Sequence, residues 1–467
     1  TLSTLSLFLK NNLEFVWNWK IFFSFHQKVL VVERATLLFQ ILSTTFSPSE
    51  SQMSLSSVRV AVTGYGILSC LGENIIDFSR RMFAGESGIR ELKGLALPED
   101  FPVTIAGVID QMTLSGEISR TWNKYCETVL QMELETARQA ISSSGNKKFD
   151  SIVYCGLQAF HFESVLGLLK SPQLLNQTNF GLGSTADYYC GKIADQLELT
   201  GQGRIPRENR ICVNTACTSG THGIGLAFEN IKYGLWKRCL VIASDWRPLE
   251  SGLMNFLLLK ALSTSKESAH MISRPFDRTR SGVVRAQGAG AIVLEAIQKH
   301  EKSNDRTLAE VTGFGFTSDA FRLTDGREDV LCLKKAITNA ITSAEISIDE
   351  IDYVNAHGTS TRLNDRLESK AIREIFGDRS LAIPTSSLKS QMGHSISAAG
   401  MIEAIACVLM LQHQMIAPTI NYYHPDPDCD LDYVPNVART AQLNNILKNS
   451  MAFGGQNACL IFRKAGL

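Results

Sequence analysis

Three short stretches of this 467-residue chain set reactive side chains among small ones. In Val213-Asn214-Thr215-Ala216-Cys217-Thr218-Ser219-Gly220-Thr221-His222-Gly223 a cysteine stands where a strand pattern gives way to a helical one. A thiol there meets the positive end of a helix, whose exposed N–H groups and macrodipole favour thiolate. Small neighbours leave a substrate room to approach. The competing reading is a buried, inert cysteine, which suits most of the other ten. The second stretch, Asn355-Ala356-His357-Gly358-Thr359-Ser360-Thr361, follows a strand pattern at 351–354. His357 would then stand at the carboxyl end of a strand, where open α/β sheets bind ligands. Asp365 and Glu368, three apart on one face of the following helix, can orient or balance a neighbouring cation. A histidine after a strand is more often a satisfied structural group, but this polar context costs strand stability without a packing gain. In the third, Thr385-Ser386-Ser387-Leu388-Lys389-Ser390-Gln391-Met392-Gly393-His394-Ser395, a strand end again runs through a loop into a helix of small residues. Lys389 alone reads as a solvated charge. With Glu368 it makes a candidate buried ion pair, which persists only with mutual pairing. Near the end, Gly454-Gly455 permits close backbone approach to a ligand, though such pairs are common turns.

The elements that must position these residues come in two copies. Val60-Ala61-Val62-Thr63-Gly64-Tyr65-Gly66, then Ser69, recurs as Ala309-Glu310-Val311-Thr312-Gly313-Phe314-Gly315, then Ser318. A helical pattern follows each copy (127–142; Leu331, Leu333, Ala336, Ile337, Ala340, Ile341), then a strand (151–155; 351–355). Each half continues with a short strand running into a small-residue helix: 211–216 into 217–233, and 382–386 into 398–412. Further strands are expected at 239–243, 289–295 and 458–462. Strands alternating with helices predict largely parallel sheets covered on both faces, hence two related α/β halves in a layered body.

Composition sets the class. Hydrophobic residues at 44% and charged residues at 20% predict a large buried core, and the length suggests two or three domains or one duplicated unit. With 46 basic against 46 acidic side chains there is no global field to grip nucleic acid or an anionic membrane. Eleven scattered cysteines without a CxxC pair suit reduced thiols in a cytosol-like compartment, with no metal site and no disulfide framework. Residues 1–52 read differently: nine Phe or Trp, and apolar runs interrupted by charge, unlike a secretory signal. The first methionine is Met53. The segment is expected outside the fold, disordered, with a plastid or mitochondrial transit peptide as the other reading. Domains are expected at 58–300 and 306–467.

Thr215-Ala216-Cys217-Thr218-Ser219-Gly220, Arg274-Pro275-Phe276-Asp277, Asn355 to Thr361, Lys389 to His394 and the Pro- and Asp-rich segment 421–435 together resemble the β-ketoacyl-acyl carrier protein synthases, closest to the type II elongating enzymes. The similarity spans about 58–462. It implies the thiolase-like fold, two duplicated halves in a five-layer αβαβα arrangement, and a cytoplasmic homodimer, with a heterodimer as the variant. Implied too are acyl carrier protein as partner, no cofactor, and a decarboxylative Claisen condensation of an enzyme-bound acyl group with malonyl-acyl carrier protein. By the same resemblance Cys217 is the nucleophile and His357 and His394 complete a Cys-His-His set. Lys389 and Glu368 are a supporting pair with Asp365 beside it. The N–H groups of Cys217 and Phe453 form an oxyanion hole, and the Phe453 ring gates the acyl pocket.

Departures from the family pattern bear on substrate and carrier docking. The final loop reads Met451-Ala452-Phe453-Gly454-Gly455-Gln456-Asn457 where Phe-Gly-Phe-Gly-Gly-Thr-Asn is usual. After Asp277 come Arg280-Ser281-Gly282-Val283-Val284 and Ala286-Gln287-Gly288, and the Gly-rich loop after the third strand becomes Cys155-Gly156-Leu157-Gln158-Ala159-Phe160-His161-Phe162. Phe160 and Phe162 are expected to fill part of the acyl pocket and narrow its range. A non-catalytic, chain-length-factor-like partner subunit is the alternative function, but such subunits typically lack the cysteine. A biosynthetic thiolase would need a second cysteine near the end in place of the two histidines.

Overall fold

The repeated Gly-aromatic-Gly strands meet at the centre of the molecule. Strand β1 (Val58–Ser69) runs antiparallel to β6 (Ala309–Ser318), with Val60 opposite Val311, Ala61 opposite Glu310 and Val62 opposite Ala309. That register is symmetric about Ala61 and Glu310, which hold the same place in the two copies, so a pseudo-twofold axis relates the halves. Both glycines of each copy lie against a helix. A Cβ on Gly64 or Gly66 would strike the carbonyls of Ala140 or Thr136, and one on Gly313 or Gly315 those of Ala340 or Ala336. The repeat is therefore a packing requirement, a strand pressed onto helical backbone on each side of the axis.

This computed structural model describes residues 58–92, 97, 98, 100–109, 122–145, 147–156, 186–245, 249–298 and 306–467. In the first half, β1 is followed by β2 (Ser151–Cys155), β3 (Arg210–Val213), β4 (Arg238–Asp245) and β5 (Gly288–Gln298). After β6 the second half supplies β7 (Tyr353–Asn355), β8 (Thr385–Ser386), β9 (Asn445–Met451) and β10 (Gln456–Lys464). All ten join in the order β8-β7-β9-β10-β6-β1-β5-β4-β2-β3, the same order within each half, read outward from the seam. The expectation of largely parallel sheets needs correction: β2, β3 and β4 are mutually parallel, as are β7, β8 and β9, but β5 and β10 run antiparallel to both their neighbours. Periodicity reports burial and carries no direction. In the second half the reversal is a tight hairpin through Ala452-Phe453-Gly454-Gly455, where Gly454 and Gly455 have φ of 86° and 81°.

Helices complete the layers. α1 (Trp122–Ser144) packs on β1 and β5 and α2 (Ala186–Leu199) on β2 and β3; α4 (Leu331–Ser343) packs on β6 and β10 with α5 (Arg362–Phe376) beside it. Between the two halves of the sheet lie α3 (Ser219–Lys232) and α6 (Ala399–His413), each touching strands of both halves. The result is the five-layer αβαβα thiolase-like arrangement. α6 is apolar on every side and buried from Ala399 to Leu411, as a helix enclosed between layers must be. α3 and α6 cross where Gly220 and Gly400 each face the other's backbone, at Met401 N and Thr221 N. A 3₁₀ turn opens each of them, Ala216–Thr218 and Ile396–Ala398, and each turn begins on a left-handed non-glycine residue, Ala216 at φ 49° and Ile396 at φ 41°.

Candidate active site

Cys217 occupies the middle of the turn ahead of α3. Thr218 N–H donates to the Thr215 carbonyl at 3.1 Å, and Ser219 Oγ accepts from Thr215 N–H at 2.9 Å, which ties the turn to the first residue of the helix. Ala216 pays for this placement in backbone strain, a cost of about 1 to 3 kcal/mol that persists only where surrounding structure dictates it. His357 and His394 are flanked in the same way, by Gly358 at φ 36° and Gly393 at φ 75°. Left-handed backbone beside all three residues turns strand and helix ends sharply enough to aim three side chains into one space. That space is a cleft of about 390 Å³ lined by Cys217, His357 and His394, with Phe453 at the hairpin and Phe256, whose rings lie 5.8 Å apart. The two histidine rings stand edge to face with centroids 5.4 Å apart.

Behind the cleft, buried acids hold the loop that carries His357. Glu368 accepts from the backbone N–H groups of His357 and Gly358, both at 2.8 Å, and from Asn449 Nδ2 at 3.3 Å. Asp365 accepts from the N–H groups of Thr359 and Phe276, each at 2.9 Å, and stands 3.5 Å from Arg280 Nε. Burial pushes both carboxyls up from the usual carboxylate range, against the hydrogen bonds that favour their charged forms. Neither lines the cleft. The two acids, expected to orient or balance a neighbouring cation, anchor a loop through its backbone.

Lys389 opens a short helix, Lys389–Met392, behind His357. Its Nζ donates to the His357 carbonyl at 2.6 Å and lies 3.3 Å from His357 Nδ1. An ammonium has only donors, so Nδ1 accepts and the ring proton sits on Nε2. Burial, then the positive charge of Lys389, holds His357 well below the imidazole range; His394 and Lys448 add to the effect. Burial lowers Lys389 itself, while Glu403 opposes that shift.

One expectation fails here: Lys389 does not pair with Glu368. Its ammonium meets Glu403 Oε1, and Lys448 meets Glu403 Oε2 at 2.8 Å. Sequence reasoning missed both Glu403 and Lys448. Each left a signal: a single carboxylate inside the apolar run 399–411, and a lysine in the middle of a buried strand. Phe160 and Phe162 lie outside the described residues.

The sequence model described as “Beta-ketoacyl synthase, N-terminal domain” matches residues 57–300, and “Beta-ketoacyl synthase, C-terminal domain” matches residues 308–423. A “Putative polyketide beta-ketoacyl synthase 1” of Streptomyces cyaneus is 40% identical over 430 residues, covering 87% of this chain and 99% of the relative. A “3-oxoacyl-(acyl-carrier-protein) synthase 2” of Coxiella burnetii is 30% identical over 415 residues, covering 87% and 98%. Among solved structures, a ketosynthase of a type II polyketide system, in complex with its acyl-carrier protein and bound to the hexaketide, superposes with a TM-score of 0.75 at 28% identity, covering 88% of this chain and all of that one.

Proposed function

The chain belongs to the β-ketoacyl synthase family of acyl-transferring condensing enzymes, and from that premise we propose how its own residues divide the reaction. The observation that carries the proposal is the meeting of Cys217, His357 and His394 in one cleft. The Cys217 thiolate attacks the carbonyl of an acyl thioester, the carrier's thiolate departs and takes up a proton, and the acyl group stays on the enzyme. A malonyl thioester then enters. Its C–CO₂ bond breaks, CO₂ leaves, and the electron pair passes to the thioester oxygen as an enolate. Nε2–H of His357, fixed by Lys389, and the His394 ring supply donors to that oxygen. The enolate carbon attacks the acyl-Cys217 carbonyl, whose developing charge the N–H groups of Cys217 and Phe453 receive. The new carbon–carbon bond forms, Cys217 is released, and the β-ketoacyl group leaves on the carrier.

Acyl carrier protein is the proposed donor of both substrates, in fatty acid or polyketide-type synthesis, and the proposed setting is the cytoplasm, with two copies of the chain paired. The division into 58–300 and 306–467, with 1–52 outside them, belongs to the same proposal and is supported by the two family matches, over 57–300 and 308–423. Phe160 and Phe162 are proposed to narrow the acyl range, which a length series of acyl thioesters on Phe160→Gly and Phe162→Gly tests. Mass spectrometry of the protein with an acyl thioester and malonyl-acyl carrier protein tests the whole. A Cys217 acyl adduct that disappears as β-ketoacyl carrier and CO₂ form is expected; an adduct on another residue, or none, refutes it.

A further inference from the structure

Four charged side chains meet in the core behind the cleft: Lys389, Lys448, Glu368 and Glu403, none more than 1% exposed. Glu403 gives one carboxylate oxygen to each lysine. Lys448 also donates to the Asn449 carbonyl at 2.8 Å and to Ser450 Oγ, and the Ser450 and Thr221 hydroxyls lie 2.7 Å apart. Thr221 is in the first turn of α3, just past Cys217. One buried chain of polar contacts therefore runs Thr221, Ser450, Lys448, Glu403, Lys389, His357, from the nucleophile's helix to the histidine loop.

The other titratable groups around this chain are Tyr353 on β7, Cys407 on α6 and Cys459 on β10, all pushed up by burial and uncharged. His394 lies beyond His357, and Asp365 behind Glu368 faces Arg280. Two ammoniums thus stand against two carboxylates. A lysine in the middle of a buried strand is costly and persists only when paired. Lys389 alone would suffice to pair Glu403, so Lys448 needs a separate reason.

We propose that Lys448 is a positioning residue for the decarboxylation step: as the second cation on Glu403 it balances the buried carboxylates and sets Glu403, and through it Lys389, against His357. The inference rests on the condensing role proposed above. Without Lys448 one carboxylate is in excess and His357 loses one of the cations that oppose its charged form, so its ring takes up a proton more readily. An imidazolium there repels Lys389, and the Nδ1 acceptor that fixes the ring is lost.

The test compares the parent, Lys448→Met and the double variant Lys448→Met/Glu403→Gln, in which Lys389 against Glu368 restores the balance. Release of CO₂ from malonyl-acyl carrier protein is followed from pH 5 to 8, with Cys217 acylation by mass spectrometry as the check on folding. In Lys448→Met the acid limb should move up by about one pH unit, the effect of removing one nearby like charge. The double variant should return it to the parent's position at a lower maximal rate, because Lys389 has lost its anchor. A limb unmoved in Lys448→Met, or equally displaced in both variants, overturns the inference. If only the double variant folds, a parental limb supports it and a displaced one overturns it. A parent that acylates Cys217 but releases no CO₂ overturns the condensing role itself.

Discussion

On the proposed mechanism, replacing His357 by alanine should separate the two half-reactions, and the structure shows which contacts the change leaves in place. The loop is held through backbone: Glu368 binds the N–H groups of His357 and Gly358, and Lys389 keeps the His357 carbonyl and Glu403. None of these contacts needs the imidazole. What disappears is one donor to the enolate oxygen, and loss of one such donor costs roughly 10²- to 10³-fold, about 2.7 to 4 kcal/mol of transition-state stabilisation. Acyl transfer to Cys217 uses other groups and should persist at least in part. Two assays on one preparation check this: CO₂ release from malonyl-acyl carrier protein, and the mass of acylated Cys217. Decarboxylation within a few-fold of the parent would refute the enolate role. Loss of acylation alone would make His357 the base that activates the thiol.

Other expectations follow from the same geometry. Alkylation at neutral pH should fall on Cys217, since burial pushes Cys70, Cys239 and Cys429 up to about 12, and Cys217→Ala should lose the acyl adduct; faster labelling of another described cysteine counts against the assignment. Because His357 is held below the ordinary imidazole value of about 6.5, protonation reaches it only at lower pH, so decarboxylation should stay level through that region and fall below it; a midpoint at 6.5 refutes the depression. Gly315→Ala drives a methyl into the Ala336 carbonyl, backbone that cannot swing aside, and should cost about 1 to 3 kcal/mol; denaturant unfolding with the parental midpoint would contradict that packing.

Much of the architecture was legible because duplication doubles a weak signal. The strand expected at 151–155 is Ser151–Cys155, and the helix expected at 398–412 is Ala399–His413. β9 was missed because Asn445, Lys448 and Asn449 face the core and break the apolar alternation by which strands are recognised. Four of the expected site residues, Cys217, His357, His394 and Phe453, share the cleft because each lies at a strand end, a hairpin or a helix start. The partner of Lys389 was illegible for a different reason. Glu368 and Glu403 are both near Lys389 in space and distant in sequence from one another, and only the layering decides which carboxylate receives the ammonium.

The two 3₁₀ turns that open α3 and α6 carry a consequence for descent. They are related by the axis between Ala61 and Glu310, so Ser397 stands in the second half where Cys217 stands in the first. Its hydroxyl is committed to the Ser244 carbonyl at 2.6 Å, closed into the core. Two residues past the end of β2, where the second half has His357 two residues past the end of β7, the sequence has Leu157. A symmetric ancestor of half this length, pairing with its own copy, would have had two equal reaction chambers. In this chain the Ser397 turn serves as scaffold, while the working chamber draws its thiol and its imidazoles from opposite sides of the join.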